Sequence, residues 1–304
     1  MESSMACPVC GKTSLKLFLN GQTLGLTLSS VGASRAIVSP GRILRCADCR
    51  FAFREERPTS EELSALYQQM DVGVYESQFR GREKSADRLL QIVERYCSGG
   101  ELLDVGCASG TFLKHAIMSG WTATGIEPSA ELCHRAEEAV QKKARILCAT
   151  LETAELKPSS FDVITSWDVL EHMQDPVGFM RGCASLLRDD GLLFTTVPNL
   201  DSLTARLLGS RWPMFLPEHL NYFNPKSLKL CGALAGLTCL HVGRRTVFYS
   251  TGYVLTRLSQ HRIPGASLGN RMIALLGIEQ TSLPIHLGDV WCAWRKSHST
   301  GPDA

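Results

Sequence analysis

The chain has 304 residues, 44% of them hydrophobic and 20% charged, with a formal net charge of +2. That is an ordinary soluble composition, long enough for one large α/β domain and a small appendage. No apolar run approaches a membrane span, and Met1–Ala6 has neither the basic nor the apolar region of a secretory leader. Eight of the twelve cysteines are scattered singly, the pattern of reduced thiols, so a cytoplasmic location is expected.

The other four are Cys7 and Cys10, in Cys7-Pro8-Val9-Cys10-Gly11, and Cys46 and Cys49, in Cys46-Ala47-Asp48-Cys49. Two Cys-x-x-Cys knuckles supply four thiolates, the ligand set of one structural Zn²⁺. Alternating apolar residues and glycines over Ser14–Ser39 read as hairpins, so residues 1–57 are expected to form a zinc ribbon. Such a ribbon is too small to bury its own core, and the metal is expected to supply most of its folding free energy. These 57 residues carry eight Lys/Arg against four Asp/Glu, which leaves RNA contact and a plain solvated surface both open.

Residues 58–100 read as a helical lid or linker. Thr59 and Glu62 form a capping box, followed by Leu63, Leu66, Tyr67 and Met70 on one face. A looser stretch holds Tyr75, a candidate lid contact, and Leu89, Ile92, Val93 and Tyr96 mark a second helix. From 101 the pattern alternates. Strands are expected at Glu101–Val105, Thr122–Ile126, Arg145–Cys148, Phe161–Ser166 and Leu192–Val197. Helices fall between them at Thr111–Ser119, Ala130–Gln141 and Val177–Leu187, with a turn at Asp189-Asp190-Gly191. Near-continuous apolar strands in this rhythm imply a parallel sheet covered on both faces. An irregular insertion near 200–235 contains a helix at Pro225–Leu234. Strands at Thr238–Gly243 and Asp289–Trp294 close residues 101–297, and 298–304 read as a tail.

The chemistry starts at Leu102–Gly110, an apolar strand entering a turn of small residues. The dinucleotide fingerprint Gly-x-Gly-x-x-Gly is absent, and Asp104 would repel a pyrophosphate, which disfavours an NAD-dependent dehydrogenase. An acid there suits a cationic amino group, while Glu127, ending the next strand before Pro128, can accept both hydroxyls of a ribose. Adenosine at one end and an ammonium at the other describe S-adenosylmethionine. Asp104–Gly110 (Asp104, Gly106, Cys107, Ala108, Ser109, Gly110) resembles motif I of class I methyltransferases, with Ala108 at the middle glycine. Phe161–His172 resembles the fourth-strand motif of the same family, which implies that Trp167 and Asp168 flank the adenosine and the sulfonium. The resemblance implies a Rossmann-like seven-stranded sheet with helices on both faces and an antiparallel finish.

A methyl donor carries its own reactivity, so the protein must align the nucleophile and remove its proton where needed. Candidate bases are His172 and His219, the latter beside Glu218 in the aromatic-rich Phe215–Phe223, where Tyr222 is a further substrate contact. Tyr75, His172 and Glu218-His219 resemble, in type and order, substrate residues of zinc-bearing deoxysugar C-methyltransferases. Alternatively, Asp168, Glu171 and His172 hold a divalent metal, as the resemblance of this stretch to ubiquinone-pathway O-methyltransferases implies. The expected activity is methyl transfer to oxygen, carbon or nitrogen of a small molecule, a saccharide or natural-product intermediate. An RNA methyltransferase and a non-catalytic cofactor-binding scaffold are the alternatives.

Overall fold

A computed structural model describes residues 5–21, 40–59, 62, 79–216, 218–260, 266–279 and 281–297. The expected helix over Leu63–Met70, the lid candidate Tyr75, most of the segment 14–39 read as hairpins and the tail 298–304 lie outside the described residues.

Strands β1 (Leu15–Asn20), β2 (Arg42–Cys46) and β3 (Ala52–Arg54) form an antiparallel sheet carrying the two cysteine knuckles. The capping box forms as the sequence requires: Glu62 N–H donates to Thr59 Oγ1, and Thr59 N–H donates to the Glu62 carboxylate at 2.7 Å. Helix α1 (Phe79–Val93) then leads into the main sheet.

The main sheet contains β4 (Glu101–Val105), β5 (Thr122–Ile126), β6 (Arg145–Leu147), β7 (Phe161–Ser166) and β8 (Leu187–Pro198), all parallel neighbours. Helices α2 (Thr111–Met118), α3 (Ala130–Val140) and α4 (Pro176–Leu186) connect them. The chain continues through α5 (Leu203–Leu208), β9 (Asn221–Tyr222), α6 (Pro225–Leu234) and β10 (Leu237–Arg244). It ends with β11 (Val247–Ser250), α7 (Thr251–Gln260), α8 (Ala266–Leu275), β12 (Ser282–Ile285) and β13 (Asp289–Lys296). The seven strands lie in the order β10-β13-β8-β7-β4-β5-β6, with β13 antiparallel to both neighbours. Strand order therefore reverses between β4 and β7, and the crevice at their carboxyl ends is where such sheets bind ligands.

Three features differ from the sequence reading. The turn at Asp189-Asp190-Gly191 lies inside β8 as a bulge: Phe161 pairs with Leu187 and Val163 with Leu192, so Arg188 to Gly191 stand opposite Asp162 alone. Residues 247–285, where the sequence predicts no strand, begin and end in a two-stranded sheet of β11 and β12. Helix α1 packs on β11 at Gly81, where a Cβ would strike the Phe248 carbonyl, and Ser85 Oγ accepts the Phe248 N–H.

Third, the ribbon does not bury its core alone. Strand β3 pairs with β9 of the insertion, extending its sheet to four strands. Phe51 packs against Phe223 at 5.0 Å, within one buried cluster that also holds Cys7, Val9, Phe53, Val197, Leu228 and Trp294. The large domain thus supplies this unit with apolar burial that the cysteine knuckles and their own strands do not provide.

Candidate active site

The turn after β4 is tight. Gly106, Ala108 and Gly110 all have positive φ, at 79°, 48° and 74°. At Gly106 a Cβ would lie 2.6 Å from Val169 Cγ2, so side-chain size as well as backbone conformation selects glycine. Gly106 and Cys107 donate N–H to Ile126 O, Ala108 to Glu127 Oε2 and Gly110 to Cys107 O. These four turn amides are therefore spent within the protein and are not available to a phosphate. Helix α2, capped at Gly110 without a side-chain bond, is left to present its own first-turn N–H groups. The Cys107 side chain packs under Gly125 in the core, so of the sequence candidates in this turn it can offer only backbone.

Two carboxylates frame the turn. Asp104 is buried, 2% exposed, and accepts from Thr165 Oγ1 at 2.7 Å. Burial, with the charge of Glu127 adding, pushes it up to about 7. Glu127 accepts from Ala108 N–H and Ser129 N–H at 3.0 and 2.9 Å, one on each oxygen, which fixes its plane at the end of β5. Burial raises it and those two amides pull it back. Pro128 and Ser109 are half-buried beside it. Trp167 stacks edge-on against Phe112 at 5.4 Å, and its indole N–H is buried without a partner among the described residues.

Asp168 does not stand free for a sulfonium or a metal. Its carboxylate forms an ion pair with Arg245 and accepts from Thr196 Oγ1 at 2.9 Å, while its backbone sits at φ 58°. Burial opposes its ionisation, but the Arg245 charge and hydrogen bond outweigh this and hold Asp168 below the usual carboxylate range. Arg245 and Thr196 escaped the sequence reading: the Arg244-Arg245 pair after the expected strand Thr238–Gly243 carries no signal of where either side chain folds.

The two candidate histidines meet, with ring centroids 4.8 Å apart and planes near perpendicular. His172 follows β7 in a single 3-10 turn, Leu170–His172, and its Nδ1–H donates to the Glu218 carbonyl at 2.9 Å. His219 Nδ1–H donates to the Met214 carbonyl at 2.9 Å. Each ring therefore keeps an Nε2 lone pair. Burial lowers both, His219 to about 3, with the charge of His172 adding. Glu171 beside them is 2% exposed, pushed far up by burial and by the charge of Asp168, and its Oε2 has no hydrogen-bond partner among the described residues. Glu218 contributes its backbone carbonyl to this pair. Tyr222, expected at the substrate, is fully buried in β9, and its hydroxyl donates to Leu216 O. It is a core residue.

Arg57 ties these loops to the N-terminal unit. It donates to the carbonyls of Met173 and Gln174 and to Asn221 Oδ1, and burial, with Arg54 adding, lowers it to about 10.

At the cysteine cluster the Sγ pairs Cys7–Cys49 and Cys10–Cys46 lie 3.6 Å apart, and all four lie within 4.8 Å. A tetrahedral zinc with bonds of about 2.3 Å requires sulfurs roughly 3.8 Å apart, so these residues fit that ion. Gly11 and Arg50, each following the second cysteine of its knuckle, take left-handed φ of 70° and 63°.

The fold is that of a Rossmann-like methyltransferase domain with the crevice of that class at its switch point. The family described as methyltransferase domain matches residues 77–242, more than half of the chain, and the chain belongs to it. A ubiquinone biosynthesis O-methyltransferase of Xanthomonas campestris pv. campestris (strain B100) is 37% identical over 106 residues, 33% of this chain and 44% of the relative. That of Aliivibrio fischeri (strain MJ11) is 28% identical over 170 residues, 51% of this chain and 73% of the relative. The chain thus spans less than half the length of the first of these curated relatives. Among solved structures, a SAM-dependent methyltransferase from Thermotoga maritima superposes with a TM-score of 0.50 at 17% identity, covering 74% of this chain and 96% of that one. The [4+2]-cyclase SpnF superposes at 0.53 and 20% identity, covering 79% and 98%. Arg245, at the cleft, lies beyond the matched segment.

Proposed function

We infer that the protein transfers the methyl group of S-adenosylmethionine to a small-molecule acceptor. A likeness in fold to a cyclase as well as to a methyltransferase means that fold alone does not fix the reaction, so the reading rests on the site. The observation that carries it is the buried Asp104 beside Glu127 in a turn where the amides of Gly106, Cys107, Ala108 and Gly110 are spent. Such a site repels a pyrophosphate and suits a ligand with a ribose at one end and an ammonium at the other. When bound, that cofactor supplies an activated methyl group. Gly106 allows close approach, Glu127 orients the ribose hydroxyls, and Trp167 and Pro128 wall the adenosine. The acceptor faces His172 and His219, whose Nε2 lone pairs stay unprotonated at neutral pH and can take a proton from an attacking hydroxyl, amine or acidic carbon.

The acceptor is read as a saccharide or natural-product intermediate rather than RNA. The arginines of the N-terminal unit support this: Arg42 pairs with Glu55, Arg45 and Arg50 with Asp201, while Arg54 is buried and Arg57 is engaged by loop carbonyls. Among the described residues few of its arginines remain to contact phosphates. Zn²⁺ at Cys7, Cys10, Cys46 and Cys49 acts structurally. A panel of hydroxylated saccharides and phenols incubated with methyl-labelled cofactor tests the reading. Label transfer that falls in His172→Gln or His219→Gln supports it, and transfer only to RNA overturns the acceptor class.

A further inference from the structure

The cluster of Glu171, His172 and His219 has the organisation of a metal site, and we propose that it binds a divalent first-row transition metal, separate from the cysteine zinc. One ligand atom from each residue lies within 4.8 Å of the others. The donor set differs from the Asp168-Glu171-His172 set implied by resemblance, because Asp168 is taken by Arg245 while His219 arrives from the insertion. Three observations converge. Both histidines donate Nδ1–H to backbone carbonyls, the outer-shell arrangement that fixes a metal-binding imidazole with Nε2 as the ligand atom. Glu171 is 2% exposed and its Oε2 has no partner among the described residues, a buried acceptor that a cation would satisfy. The donors also come from three separately anchored backbone points: Leu220 N–H bonds the Glu171 carbonyl at 2.9 Å, His172 N–H bonds Val169 O and His219 N–H bonds Leu216 O. The positions are therefore preformed.

Two imidazoles and one carboxylate favour zinc, cobalt, nickel or iron(II) over magnesium and calcium, which take oxygen ligands. Asp168 and Asp289 lie near enough for their charges to act on Glu171, with Arg245 opposing them. Three protein donors leave coordination positions for a water or an acceptor oxygen. Metal binding and proton abstraction would use the same two nitrogens. The proposal concerns binding alone and does not rest on the methyl-transfer reading.

The test is titration of the full chain, its cysteine site zinc-filled, with Co²⁺ followed by visible absorption. We expect one further equivalent with d–d bands and without the thiolate-to-cobalt charge-transfer band that exchange into the cysteines would produce. His172→Gln, His219→Gln and Glu171→Gln should each weaken it by at least about tenfold, while His134→Ala, on the exposed face of α3, leaves it unchanged. Circular dichroism establishes that each variant is folded, and the two histidines lie on different loops, so one folded variant suffices. No equivalent beyond the cysteine site, retention of the cobalt bands in folded variants, or displacement by equimolar Mg²⁺ would each overturn the proposal.

Discussion

Replacing Asp104 with asparagine should stabilise the unliganded protein at high pH while destroying its affinity for the cofactor. The carboxyl rises from 3.8 to about 7 on folding, chiefly through burial. A native value above the unfolded one means that the folded state binds the extra proton. Stability therefore falls as pH rises from 3.8 to about 7 and levels off above it. Between pH 5.5 and 8 the linkage relation gives a loss of roughly 1.5 pK units, or about 2 kcal/mol, for this group. Asp289, raised by burial to about 6, pulls the same way, so the informative quantity is the difference between wild type and variant. Asparagine keeps the shape and can still accept from Thr165, so Asp104→Asn should lack that 2 kcal/mol. Urea unfolding at pH 5.5 and 8, without ligand, measures it. Equal pH slopes for the two proteins would refute the claim that Asp104 is a strained, cation-seeking carboxylate.

Other expectations follow from the same contacts. Gly106→Ala combines a left-handed backbone with a clash on Val169 and should cost about 2 kcal/mol or more in thermal unfolding, part of it recovered by adding Val169→Ala. Arg245→Met leaves Asp168 without its counter-charge. Half of the Asp168 side chain is exposed, so the loss in urea unfolding should be about 2 kcal/mol rather than the 3–5 of a fully buried pair. Arg57→Met removes donors to the carbonyls of Met173, Gln174 and Leu220, to Gln174 Oε1 and to Asn221, and hydrogen exchange should accelerate in 170–174 and 219–222 more than in β4 or β5. Chelating the cysteine metal should accelerate exchange in β1–β3 and, through the β3–β9 pairing, at Asn221 and Tyr222, while the main sheet stays protected.

The sheet was legible because its signals are local. Leu102–Gly110, Thr122–Pro128 and Phe161–Ser166 each combine an apolar run with its own turn, and the two cysteine knuckles declare themselves by spacing. The histidine pair was legible as two candidates but not as a contact, since 46 residues separate His172 from the Glu218 carbonyl it meets. Arg245 and Arg57 act only through long-range partners, so no spacing betrays them. Tyr222 misled because an aromatic in a loop-like sequence became a strand residue once β3 offered it an edge. The β11–β12 sheet went unseen because its two short strands lie far apart in sequence and, among the described residues, pair with each other alone.

Isothermal titration of the purified chain with S-adenosylmethionine and, separately, NADH tests the central claim most directly. Saturable micromolar binding of the sulfonium ligand alone, lost in Asp104→Asn and Glu127→Ala, is the predicted result. Binding of NADH, or sulfonium binding indifferent to both carboxylates, would contradict the cleft described here.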